Sequence, residues 1–239
     1  MTGSASVLPI GANWRAELNL INRAAGPWDK GQLPVDSLKA LVDLADGRWR
    51  VQSLNAEAGG GRVRLVGSIG DPATVTATSG WQGQLHLQGI NPALLHSQME
   101  AVRLDGTLDA QAQADGVRFD VELQPSAQQE RGSILRGLRL QDLSVRGRWA
   151  DGWVRVNDLT VRTSDARLDG KVDLQLASMS ARGQLKLVTP GAQAQVSGQL
   201  AAEDGAGDLT LNVTDAATLR RWVARLPNTP KTLGQFDVS

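Results

Sequence analysis

The stretch VRLDGTLDAQAQADGVRFDVEL, residues 102–123, decides the fold. Val102, Leu104, Gly106, Leu108, Ala110 and Ala112 alternate with Arg103, Asp105, Thr107, Asp109 and Gln111. Val117, Phe119, Val121 and Leu123 then alternate with Arg118, Asp120 and Glu122. Successive side chains of a strand point to opposite faces, so each run has one apolar face and one solvated face. A parallel sheet buried between helices would need strands that are apolar on both sides, and this pattern excludes it.

The same period of two recurs outward from this stretch. It is present in Leu168-x-Gly-x-Val172-x-Leu174-x-Leu176, in Ala194-x-Val196-x-Gly198-x-Leu200 and in Leu209-x-Leu211-x-Val213. Asp46-Gly47 and Asp151-Gly152 stand between alternating runs, where a two-residue hairpin turn needs positive φ. Segment 38–45 reads as a strand through Leu38, Ala40, Val42 and Leu44, because the Asp-Gly turn then closes a hairpin. A helix through Leu38, Leu41, Val42 and Ala45 is the competing pattern. One helix is expected, over 215–226. Asp215 can cap it, Leu219, Trp222, Val223 and Leu226 share a face, Arg220, Arg221 and Arg225 point elsewhere, and Pro227 follows. So few apolar groups over about three turns suit a helix closing the end of a sheet better than one lying on a membrane.

Composition narrows the function classes. The 239 residues carry 25 basic and 25 acidic side chains, so no net basic field favours nucleic acid. With no cysteine, a disulfide framework and thiolate metal ligands are both excluded. Met1–Ser6 has no signal-peptide character, and no stretch approaches the ~20 apolar residues of a membrane-spanning helix. Gln235-Phe-Asp-Val-Ser239 reads as the middle of a strand, as expected of a piece of a longer protein.

An internal repeat organises the chain. Residues 45–54 (ADGRWRVQSL) align without gaps on 150–159 (ADGWVRVNDL), Arg64-Leu-Val-Gly67 matches Arg167-Leu-Asp-Gly170, and Gly83-Gln-Leu-His-Leu87 matches Gly183-Gln-Leu-Lys-Leu187. The reading is a partly irregular lead-in over 1–32, a first β module over 33–90, inserted strands over 91–135 and a second β module over 136–239. Within it, Trp49-x-Val51-x-Ser53-Leu54, Leu138-x-Leu140-x-Asp142-Leu143 and Val154-x-Val156-x-Asp158-Leu159 share a shape in which the apolar parity shifts by one residue at the Ser or Asp. A strand that shifts parity must bulge to keep the same face inward, and repeated bulges curl a sheet.

Repeated Gly-x-Leu-x-Leu strands, Asp-Gly hairpins, Ala-Asp-Gly-x-x-Arg-Val-x-x-Leu units, and Gly89-Ile-Asn-Pro92-Ala-Leu-Leu followed by Arg103-Leu-Asp-Gly106-Thr-Leu resemble the TamB/AsmA-like superfamily of bacterial bridge-like proteins. The resemblance spans 33–239. It implies an all-β, elongated, curled antiparallel or mixed sheet forming a U-shaped trough (a β-taco). It also implies an inner-membrane anchor, a periplasmic location, and phospholipid movement towards the outer membrane with an Omp85-class partner, TamA. Neither the anchor nor the docking end is expected in this chain, which would be a middle segment.

On that reading the chain is non-catalytic and shields phospholipid acyl chains in an apolar groove. The alternation supplies the expected lining: Leu104, Leu108, Val117, Phe119, Val121, Leu123, Leu168, Val172, Leu174, Leu185, Leu187, Leu209 and Leu211. The same alternation would build an ordinary β-sandwich core, and a structural module of a secreted or surface β-solenoid is the competing function. Enzyme signatures are missing: there is no Gly-x-Ser-x-Gly, no P-loop and no dinucleotide fingerprint, and no cofactor is expected. His86 is expected on the polar face of a strand and His96 in a loop, with no third ligand at metal-binding spacing. Gly59-Gly-Gly61 reads as a hairpin loop. Trp49, Trp149 and Trp153 flank the Asp-Gly turns and are expected to pack across the hairpins.

Overall fold

The computed structural model describes residues 1–46, 48–70, 80–99, 101–127, 139–175, 177–201 and 204–225. Gly47, Leu138, Leu176, Leu226, Pro227, the 135/136 boundary and the C-terminal Gln235–Ser239 lie outside the described residues. Fourteen strands follow one another: β1 (Thr2–Ile10), β2 (Asn13–Ile21), β3 (Val35–Ala45), β4 (Arg48–Ala58), β5 (Gly61–Ile69), β6 (Trp81–Ile90), β7 (Leu104–Gln113), β8 (Gly116–Pro125), β9 (Leu140–Ala150), β10 (Trp153–Thr163), β11 (Arg167–Gln175), β12 (Ser180–Thr189), β13 (Ala192–Leu200) and β14 (Gly205–Val213). They form one sheet in sequence order, each strand antiparallel to the next, so the pairing is antiparallel rather than mixed. Among the described residues this one sheet ends at β1 and β14 and is neither a sandwich nor a closed barrel.

Turn chemistry fixes the hairpins. Asp151 and Gly152 both have positive φ, 52° and 75°, which pairs Ala150 with Trp153 and Trp149 with Val154. That pairing corrects the expectation for the tryptophans. Across a two-residue turn, positions 149 and 153 fall on opposite faces: Trp149 joins the apolar face, while Trp153 lies on the polar face with the Arg182 guanidinium 5.2 Å from its ring centroid.

Bulges occur where the parity shifts. In β4, Gln52 and Ser53 sit between Val51 and Leu54, which pair with Gly67 and Leu65. In β10, Asn157 and Asp158 occupy the equivalent place between Val156 and Leu159. In β9, Gln141 is the extra residue, between Leu140, paired with Thr163, and Asp142, paired with Arg162.

Two short helices close one end of the strands. Helix α1 (Pro92–Leu95) is capped by the Asn91 side chain, which accepts from the Ala93 N–H, and it folds back over the β4–β5 turn. Gly59 and Gly60 have positive φ, 56° and 70°, so this turn beneath Leu94 and Leu95 favours the two glycines. The Trp28 ring meets the His96 ring edge-on with 6.0 Å between centroids, and the Asp29 carboxylate accepts from Ser97, tying the β2–β3 connection to the end of α1. Helix α2 (Ala216–Val223) is shorter than the expected 215–226; Asp215 caps it by accepting from the Thr218 N–H. It lies beside the β12–β13 turn, where Thr214 and Asp215 donate to the Gly191 carbonyl. Its Trp222 is buried and Arg225 reaches Asp165 at 2.8 Å. The most buried apolar residues lie mostly towards strand ends, among them Ala56, Ala58, Ile90 and Leu104 near α1 and Ala192 near α2.

Candidate functional site: an uncovered apolar face

Because the bulges restore parity, one apolar row crosses the whole sheet. Ala5, Leu18, Ala40, Leu54, Leu65, Leu85 and Leu108 are successive cross-strand partners, and the row continues through Val121, Val145, Leu159, Gly170, Leu185, Val196 and Leu209. Thirteen interstrand spacings of about 4.8 Å make this row ~62 Å long. A parallel row beside it holds Leu20, Leu38, Ala56, Val63 and Leu87, then Leu123, Leu143, Val161, Leu168, Leu187 and Leu211.

All thirteen expected lining residues fall on this face. Leu108, Val121, Leu185 and Leu209 lie in the first row; Leu123, Leu168, Leu187 and Leu211 lie in the second. Phe119 and Val172 lie on the other side of the first row, Val117 and Leu174 one step further out, and Leu104 pairs with Ile90 and Pro125 at the α1 end. No second layer of strands covers the face among the described residues. Leu104 and Val117 are buried, and most of the others are half-buried by their neighbours in the rows. Leu209 and Leu211, on β14, are 68% and 56% exposed.

Two features of the face escaped the sequence reading. Trp14, Leu44, Trp49, Ile69 and Trp81 stand side by side on β2–β6, forming a bulky margin along the turn end. The signal for it was the tryptophan that lies within two residues of a turn or a strand start. Next to that margin, Gly67 pairs with Gly83, and further along Gly183, Gly198 and Gly207 are consecutive partners, leaving backbone bare on the apolar side.

The other face is polar and largely paired with itself. Arg15 forks onto Asp43 at 2.8 and 3.1 Å, and Gln52 donates to the same carboxylate at 3.1 Å. Arg146 bonds Asp120, Arg162 bonds Asp142, Arg167 bonds Asp169, and Arg182 bonds Asp173. Hydrogen bonds from Arg15 hold the Asp43 carboxyl below the ordinary aspartate range, and those from Arg167 do the same at Asp169. A hollow of about 760 Å³ opens on this polar face across β4–β8, floored by residues such as Ser68, Gln82 and Gln84.

His86 is exposed on the polar face beside Gln84, and His96 caps α1, accepting from the Gln98 N–H at Nδ1. No cluster of three metal-ligating side chains occurs among the described residues. No helix among them is long and apolar enough to cross a membrane. No protein-family model, curated protein or solved structure matches this chain.

Proposed function

We propose that the chain is a non-catalytic, periplasmic segment of a bridge between inner and outer membranes, in which the apolar face carries phospholipid acyl chains. The observation that carries this reading is the row from Ala5 to Leu209, which crosses all fourteen strands without a polar break and has no covering layer among the described residues. Each methylene moved from water onto such a surface gains about 0.8 kcal/mol, and a continuous apolar row offers similar gains at every step. A conduit needs that uniformity, because a deep site would hold the lipid in place. The resemblance to the TamB/AsmA-like superfamily supports the same reading and supplies the membrane anchor and the Omp85-class partner, both through regions outside this chain. A solenoid stalk would fill its interior with stacked side chains, so the uncovered face favours the conduit.

Val121 and Glu122 are adjacent on β8 and face opposite sides. A photo-crosslinking amino acid at each, in protein expressed in a Gram-negative periplasm, tests the proposal by mass spectrometry of attached lipid. Capture of phospholipid at position 121 and not at 122 is the expected result. Capture at neither position, or equally at both, would overturn it.

A further inference from the structure

The outer sides of the first and last strands match each other. Among the described residues no strand pairs with the far side of β1 or of β14. In an antiparallel sheet a residue aims its N–H and C=O at one neighbouring strand, and the next residue aims them at the other. Asn22 donates to the Asp36 carbonyl at 2.8 Å, so the even-numbered residues of β2, Leu18 among them, bond to β3. Ala5, opposite Leu18, therefore turns its backbone groups outward, as do Gly3 and Val7. At the other end of the sheet Ala201 donates to the Asp204 carbonyl at 2.7 Å, and Thr214 to that of Gly191 at 2.9 Å. These bonds commit the even-numbered residues of β14 to β13 and leave Gly207, Leu209 and Leu211 pointing outward.

The two sets agree in direction and in face. Fourteen strands, each antiparallel to the next, make β14 run opposite to β1. Ala5 and Leu209 are the two ends of the same apolar row. A second copy placed head to tail therefore sets its Ala5 opposite Leu209, antiparallel, with the apolar face continuous. In that register Leu211 meets Gly3 and Val7 meets Gly207, a bulky side chain over bare backbone each time. On the polar face Ser4 meets Thr210 and Ser6 meets Asp208. Leu8, apolar on the polar face and 53% exposed, meets Ala206, the one apolar side chain on that face of β14. A strand pairing with its own copy, centred on Ala5 or on Leu209, would instead set Leu8 against Thr2 or Ala206 against Asn212. Edge strands that avoid partners carry lysine or proline. Neither strand has a lysine, and Pro9 falls at the end of the match, opposite Gly205.

We propose that copies of this chain associate head to tail through β14 and β1, extending one sheet and its apolar row from copy to copy. Gly3 with Leu211, Ala5 with Leu209 and Val7 with Gly207 exchange backbone hydrogen bonds, and Pro9, which has no N–H, accepts from Gly205. The contact covers Val7, Leu8, Leu209 and Leu211, all exposed in the single chain. Because the two surfaces differ, each assembly keeps an outer β1 and an outer β14, and growth is open-ended. The match rests on backbone phase and not on what the apolar face carries, so it stands independently of the lipid reading.

The chain has no cysteine, so introduced ones report the contact directly. Ser6 and Asp208 form a pair of the non-hydrogen-bonded kind, whose Cβ atoms come close enough for a disulfide. Ser6→Cys protein mixed with Asp208→Cys protein under mild oxidation should give a cross-linked dimer holding one of each. The Ser6→Cys/Asp208→Cys double variant should give a ladder of dimers, trimers and longer species on a non-reducing gel. Sedimentation velocity of the unsubstituted chain should show a mass that rises with concentration. Leu209→Pro removes a donor that the sheet itself does not use and should raise the dissociation constant about tenfold, with circular dichroism confirming an intact sheet. A chain that stays monomeric up to its solubility limit would overturn the proposal. So would either single-cysteine protein cross-linking with itself as readily as with the other, which would mark a strand pairing with its own copy. Position 121 lies on β8, away from both outer strands, so the lipid test there and this one fail separately.

Discussion

Single side chains on this sheet act through their cross-strand partners. Asp43, Asp169 and Asp215 all have carboxyl groups held below the ordinary aspartate value, chiefly by hydrogen bonds from Arg15, Arg167 and Thr218 respectively. A depressed folded value means that the stabilisation is complete above the unfolded value of about 3.9 and is lost as the pH falls through the folded one. The melting temperature should therefore hold steady from neutral pH to about pH 5 and drop below pH 4, and Asp43→Asn should reduce that drop. Scanning calorimetry across the acid range reads both effects. Gly147 gives a second test. The Phe119 ring lies across it, and a Cβ there would sit 2.6 Å from Phe119 Cζ and closer still to the Arg155 carbonyl. Gly147→Ala should lower stability by about 1–3 kcal/mol, measured from the denaturant midpoint. The glycine was visible in the sequence as one of many, but its need for an aromatic lid was not, because the Phe119–Gly147 pairing depends on the register of two strands separated by a long connection.

For the strands and their connections, the bulges carry the most information. Period two identified the strands, and the parity shifts at Ser53, Asp142 and Asp158 located the bulges to within one residue. Both are local signals: alternation reports which face a side chain takes, and a broken alternation reports an extra residue. The match of β1 to β14 was not legible in the same way. Alternation gives the face of a side chain, but the direction of its N–H is set by the turns and by the registers of neighbouring strands. Deleting Asn157 should close the β10 bulge and leave Val156 and Leu159 two positions apart, both still on the apolar face, whereas deleting Thr160, outside the bulge, should force Val161 to the polar face. The expected outcome is a melting transition that stays cooperative for the Asn157 deletion and one that broadens for the Thr160 deletion. Deleting Gln141, the extra residue near the end of β9, should be tolerated for the same reason as deleting Asn157.

At the level of the whole molecule, a sheet with one wet face and one apolar face that no described strand covers leaves apolar surface available to a ligand. A short-chain lysophospholipid below its micelle concentration should raise the melting temperature, by the equivalent of about 2.7 kcal/mol at a hundredfold excess over its dissociation constant. No rise, with intact secondary structure, would mean that the face does not accept acyl chains. The order of the strands has a further consequence. Every extensive contact between elements joins a strand to its neighbour in sequence. Apart from ties such as Ser97 to Asp29 and Arg225 to Asp165, the connectivity is short-range, so the entropy of closing each hairpin is spent locally. The protein can be built like a zip, each new hairpin templated on the edge left by the last, while the rest of the polypeptide is still threading out of the machinery that delivers it.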